Sequence, residues 1–282
     1  MNKIKIMALT AALILCTSTV AFAAGNTLDI DSLINTAIEN SYDVKSADIS
    51  IKQAQNSYKT DTNNASSYAE QLAKNRATLD KYSRLQLMEK ISSSQQQDKF
   101  SEYKYTQIKA VAENQVNLSA YTQYTSIMND KDAVDLENQK FSNAQEQYDS
   151  AKLKLSIGII SPSDEKKAES DYLTEKNQLK KAQRQYNSDI QSLNKIAGID
   201  INTQYDVLLK DKLTESPYIR AYNDYLNDAL KNRVEILVGE KNIELQKFKY
   251  DVVDGVFPEK QSVPNRLAQA NIDNASDSLE IE

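Results

Sequence analysis

The segment "IGIISPSDEKKAESDYLTEKNQLKKAQRQYNSDIQSLNKIAGI", Ile157 to Ile199, stops one charged, helix-favouring run and starts another. Gly158 permits the backbone reversal at a helix end. Ser161 stands where it can cap the next helix, Pro162 falls where a missing N–H costs nothing, and Asp164 complements the helix N-terminus. Upstream, Ile127, Val134, Phe141, Tyr148 and Leu155 recur at strict sevens. Downstream, Tyr172, Leu179, Tyr186 and Leu193 do the same, with Ala168 and Ala182 on the adjacent rows. Two heptad runs on either side of a sharp turn predict an antiparallel hairpin of the coiled-coil type. Gly198 in "AGI" is the expected left-handed cap that closes the second arm.

Working outward, residues from Tyr68 to Ile157 contain no Gly or Pro and predict one helix, loosened at "SSSQQQ" (Ser92 to Gln97). It would be roughly 135 Å long at ~1.5 Å per residue. "TDTNNASS" (Thr60 to Ser67) is the expected break before it, with Ser67 and Glu70 forming a capping box. From Ile30 the apolar positions Leu33, Ala37, Val44, Ala47, Ile51, Ala54 and Tyr58 describe one helical stripe, with Asn40 at an interior position that sets register. At an offset of 192 the stripe recurs: Ala37 matches Ala229, Asn40 matches Asn232, Val44 matches Ile236, Ile51 matches Ile243 and Tyr58 matches Tyr250. Ser216-Pro217 is the expected start of that second unit. The expected organisation is a signal peptide over 1–23, a first helical repeat over 24–199, a linker over 200–216, a partial second repeat over 217–258 and a polar, mobile tail over 259–282, at best a short helix.

Composition narrows the chemistry. The 282 residues are 40% hydrophobic and 26% charged, with five Gly and four Pro, so long helices are favoured over loops. His and Trp are absent and Cys16 is the sole cysteine. That removes Cys/His zinc sites, imidazole-dependent catalysis and disulfides, and neither cofactor nor metal ligands nor catalytic residues are expected. Lys3 and Lys5, the apolar run from Ile6 to about Leu15 and Ala21-Phe22-Ala23 read as a secretory signal, which implies export to the cell envelope or beyond. Leu15 is bulky where a lipidation site before Cys16 would want a small residue. Loss of residues 1–23 would leave 32 basic and 40 acidic side chains, mixed along the chain, so no nucleic-acid surface is expected. No run of about 18 apolar residues follows, so no membrane-spanning helix is expected.

Taken together, the turn "IGIISPSD", the Ala four residues after Asp164, the Tyr-bearing second arm and the closing "LNKIAG" resemble the stretch shared by TolC-family outer-membrane efflux proteins. Leu33, Ala37, Asn40 and Val44 resemble that family's opening helix, "ALKNRVEI" (Ala229 to Ile236) the start of its second repeat, and Phe257-Pro258 the apolar-Pro pair that follows. The resemblance implies an all-α chain of long antiparallel coiled-coil hairpins, a subunit of a trimeric helical conduit. It implies a hairpin tip that meets a periplasmic adaptor protein or an ABC exporter, through Ile157, Gly158, Ile159 and Ile160, followed by Ser163 and Asp164. The interval at Thr60 to Ser67 is too short for the family's two membrane-spanning strands, so a barrel-less relative is expected.

Two functions follow. One is a transport-associated component that docks a partner through its tip, because a solvent-facing turn does not need three isoleucines. The alternative is a structural scaffold of the envelope in which the turn only joins two arms. Carboxylate pairs such as Asp130/Asp132 and Glu165/Glu169 sit on polar helical faces and read as solvated charge, so an enzyme is not expected. A lone subunit would expose much of its stripe, so self-association or a partner is expected.

Overall fold

The computed structural model describes residues 27–209 and 219–281. The expected signal peptide and the Ser216-Pro217 start therefore lie outside the described residues. What is described is overwhelmingly helical. The elements are β1 (Thr27–Leu28), α1 (Ile30–Asn40), α2 (Tyr42–Asn75), α3 (Lys81–Met88), a π-helical turn (Glu89–Ser93), α4 (Ser94–Ser156), α5 (Pro162–Ala197), β2 (Val207–Leu208), α6 (Tyr222–Asn232), α7 (Val234–Val256) and α8 (Val263–Ile281).

The first part of the chain is built around α4, which packs against α2 along its first half and against α5 along its second. Antiparallel alignment with α2 is fixed by Lys109–Asp48 at 2.9 Å, Gln55–Glu102 at 2.7 Å and Lys99 over the Tyr58 ring. With α5 it is fixed by Phe141 and Tyr148, whose rings lie 5.5 and 5.4 Å from that of Tyr172. These three aromatics occupy heptad positions and remain half-buried, because a two-helix cross-section shields only one side of each. Complete burial is reached where α1 joins as a third helix. There Ile30, Ala37, Ala120, Tyr124, Ile127, Ile190, Leu193 and Ala197 form the core.

Residues beyond α5 complete that core. Asn194, fully buried, donates to the carbonyls of Ile201 (3.2 Å) and Thr203 (2.8 Å) and accepts from the Tyr205 hydroxyl (2.7 Å). Burial pushes the Tyr205 phenol up to about 12, which keeps it protonated as the donor this bond requires. Tyr124 Oη then donates to the Leu209 carbonyl at 2.6 Å, and β2 lies parallel to β1, Leu28 opposite Leu208. The first half of the segment expected as a linker is thus fastened to the hairpin base.

Three boundaries differ from the sequence expectation. The break expected at Thr60 to Ser67 is absent: α2 runs through it, and Thr60 returns its hydroxyl to the Asn56 carbonyl instead of capping. The chain reverses at 76–80, where Asp80 caps α3 by accepting from the Ser83 amide at 2.9 Å. The long helix, Lys81 to Ser156 with its π turn, is accordingly roughly 115 Å at ~1.5 Å per residue, shorter than expected. The π turn at Glu89–Ser93 overlaps the expected loosening. Residues expected as a polar tail form α8, 19 residues packed on α7 with Asn265, Ala268 and Ala275 buried. Asn265 holds it there by donating to Asp254 (2.7 Å) and to the Phe257 carbonyl (3.0 Å).

The third difference occurs at both of the positions matched by the offset of 192. The stripe from Ile30 was expected to continue unbroken, but it kinks after Asn40, where Ser41 takes φ −57°, ψ 128° and accepts from the Val44 amide. At the offset of 192, Arg233 takes φ −62°, ψ 128° and separates α6 from α7. Both α1 and α6 are 11 residues long and end on an asparagine at the matched position. Their surroundings differ: Ile30, Leu33 and Ile34 are buried, whereas the matched Tyr222, Tyr225 and Leu226 are exposed.

Asn40 explains its own position. Its carboxamide donates to the Ala197 carbonyl at 2.9 Å, where α5 ends, and its Cβ would lie 2.8 Å from a Cβ added to Gly198. Gly198 (φ 65°) and Gly158 (φ 75°) both adopt the left-handed conformation, but nothing lies within 4 Å of a Cβ at Gly158. Gly158→Ala should therefore cost only backbone strain, about 1–2 kcal/mol, and Gly198→Ala clearly more, because the Asn40 contact is also broken. Urea unfolding of the two variants checks this ordering.

Candidate functional site at the hairpin tip

The tip is made by two capping devices placed back to back. At the end of α4, the Ile159 amide donates to the Lys154 carbonyl (2.8 Å) and the Gly158 amide to the Leu155 carbonyl (3.0 Å). This is the paired closure that requires a left-handed residue, and Gly158 supplies it. The end of α5 repeats it with Ile199 to Asn194 and Gly198 to Lys195, both 3.1 Å. At the start of α5, Ser161 and Asp164 form a reciprocal box: the Asp164 amide donates to Ser161 Oγ (3.2 Å), and Asp164 Oδ2 accepts from the Ser161 amide (3.2 Å) and hydroxyl (2.8 Å). These bonds hold the Asp164 carboxyl below the usual carboxylate range, the Ser161 hydroxyl being the larger cause.

With backbone groups satisfied internally, the side chains divide into two sets. Ile157 and Ile159 are 62% and 67% exposed. Ile160, half-buried, turns back toward α4 and shares a shallow polar cleft with Ala151, Gln147 and Lys154. Of the three isoleucines, Ile160 is the one that packs back on the hairpin. Ser163 is exposed on the first turn of α5, and Asp164 is committed to its cap. Leu153, which sequence reasoning did not single out, is 65% exposed one turn before Ile157 and extends the apolar surface. The heptad rule could have found it, since Leu153 lies off the Tyr148–Leu155 stripe. Two nearby cations are paired along their own helices, Lys152 with Asp149 (2.8 Å) and Lys166 with Glu169 (2.5 Å). What the tip presents is an apolar knob of Leu153, Ile157 and Ile159.

No protein-family model matches the chain, and no curated protein matches it. The tip therefore has to be judged on its own geometry. Among the described residues no cluster of three or more candidate ligands could hold a metal ion, and no helix is long and apolar enough to cross a membrane.

One acidic pairing named from sequence is rearranged. Asp130 and Asp132 are two apart on α4 and diverge, and the carboxylate that Asp130 meets is Asp189 on α5. Spacing along one helix could not reveal it, because the partner is set by the register of the hairpin.

Replacing Ser161 by Ala should remove about 1 kcal/mol of stability. It should also let the Asp164 carboxyl rise toward 3.8, the ordinary value. Since that carboxyl is depressed in the folded state, its contribution is present above the ordinary value and lost as pH falls through the depressed one. Amide exchange at 162–165 and a carboxyl NMR titration read the two effects.

Proposed function

We propose that this chain is an exported, TolC-like helical component of an efflux or secretion system, docking an adaptor protein or an ABC exporter subunit through its hairpin tip. The observation that carries the proposal is the exposed knob of Leu153, Ile157 and Ile159, rigidly held between a left-handed closure and a capping box. A connecting turn needs Gly158, Ser161 and Pro162; it does not need large apolar side chains in water. Burial of two isoleucines and a leucine against a partner would offset the cost of their exposure by several kcal/mol, at about 1.5–3 kcal/mol each.

The antiparallel pairing of α4 with α5, and of α2 with the first half of α4, is the arrangement such a subunit would use. The repeated 11-residue helix and kink support a two-repeat subunit of that kind. Self-association, as a trimer by the resemblance, would cover apolar side chains left in solvent: Leu118 on α4, and Tyr222, Tyr225 and Leu230 on α6.

The test is capture from native envelopes with the chain lacking residues 1–23, beside a variant carrying Ile157→Asp and Ile159→Asp. Both substitutions are at exposed positions, so helicity and melting should be unchanged. Mass-spectrometric identification of an adaptor or exporter subunit, at least tenfold depleted with the variant, is the expected result. Identical capture by both proteins would leave the turn a simple connection and favour a helical scaffold of the envelope.

A further inference from the structure

Two carboxylate pairs cross the seams of the long helix. Asp130 on α4 faces Asp189 on α5, and Asp98 on α4 faces Asp61 on α2. In the first pair, Asp189 is already well supplied with donors: Ser126 Oγ donates to its Oδ2 at 2.8 Å and Gln185 Nε2 to its Oδ1 at 3.1 Å. Ser126 lies one turn before Asp130 on the same face of α4, which brings the two carboxyls together. Asp130 Oδ2 is buried and no group donates to it. Asp98 Oδ2 is in the same condition.

A buried carboxylate oxygen without a donor can be satisfied by carrying a proton and donating to its neighbour. We propose that α4 is fastened to α5 and to α2 by two carboxyl–carboxylate pairs, Asp130–Asp189 and Asp98–Asp61, each closed by a single shared proton, so that the grip between these helices tightens in mild acid and loosens as the proton is lost. When the proton leaves, two like charges remain across each seam, beside oxygens that water reaches poorly.

Among the described residues, the lysines beside these pairs are engaged with other groups. Around the first pair, Asp189 is the charged group that acts on Asp130, while Lys131 is bonded to Asp135 at 2.6 Å on its own helix and the other α5 neighbours, Gln185 and Tyr186, are uncharged at neutral pH. Around the second, Asp61 is the charged group that acts on Asp98. Lys99 on α4 covers the Tyr58 ring, Lys249 from α7 donates to Gln97 Oε1 at 2.6 Å, and Glu102 accepts from Gln55 of α2. Burial, followed by the neighbouring carboxylate, pushes Asp130 up to about 6 and raises Asp98 as well.

A carboxyl whose folded value is raised binds more protons in the folded state, so its contribution to stability is fully present at and below the ordinary value of 3.8 and is lost as pH rises through about 6. Carboxyls with depressed values, such as Asp80 and Asp254, change stability only below the ordinary range, in a separate window.

The experiment is thermal melting of the whole chain lacking residues 1–23 at fixed ionic strength, with chelator, from about pH 4.5 to 8. The parent should lose melting temperature between about pH 4.5 and 6.5, and little above that. Asp130→Asn, which replaces the proton-carrying oxygen by a permanent N–H donor, should melt roughly 3 °C or more above the parent at pH 8, with a flatter profile. Adding Asp98→Asn should remove most of the remaining slope. A carboxyl NMR titration of the unaltered protein gives an independent reading, with Asp130 expected to titrate near 6. Superimposable profiles for parent and double variant, or titration of Asp130 in the ordinary carboxylate range, would overturn the proposal.

Discussion

The contact between Asn40 and the end of α5 governs the rest of the architecture. A pair of helices has too little cross-section to enclose a side chain, and along the hairpin the aromatic heptad positions stay half in water. Within the α4–α5 hairpin, complete enclosure is reached where α1 lies across both arms, and the end of α1 is fastened there by a carboxamide donating to the Ala197 carbonyl, against a glycine that leaves room for it. Apart from Asn265 on α8, the largest fully buried side chains cluster at this junction, including Tyr124, Ile127, Ile190 and Leu193. Their burial draws in the segment after α5, so that Tyr205, Asn194 and the short parallel pair β1–β2 close the base of the hairpin.

The matched helix α6 shows the same constraint from the other side. Alpha helix α6 has the length, the kink and the terminal asparagine of α1, but no residue of it is buried. Helix propensity and pattern suffice to form it; a third helix is what would enclose it. Local sequence thus sets the element, and its neighbours decide whether the same face becomes core or surface.

Much of the first repeat was legible in sequence because its signals are strong and local. Strict sevens from Ile127 to Leu155 and from Tyr172 to Leu193 gave the two arms, and Gly158, Ser161, Pro162, Asp164 and Gly198 all do what their chemistry predicts. Polar residues at "TDTNNASS" misled because hydroxyls and amides can bond back to their own helix as readily as they cap a new one. The kink after Asn40 was hidden because a kinked stripe keeps its periodicity on either side. At the tip, the turn was legible, but the division of its isoleucines between water and α4, and the exposure of Leu153, depended on helix phase at the last turn. The carboxylate pairs were beyond reach for a further reason: each joins residues many turns apart in sequence, and register between helices is a tertiary property.

The placement of the core at one end has a mechanical consequence. From Gly198 to the tip, α5 spans roughly 54 Å at ~1.5 Å per residue, and the hairpin is clamped only at its base. It is a cantilever. A tilt of about 5° at the α1 junction would carry Ile157 and Ile159 sideways by roughly 5 Å, about one helical pitch. A change too small to disturb the packing of Ile127 against Ile190 is therefore amplified, at the far end, into a displacement as large as the side chains that would meet a partner.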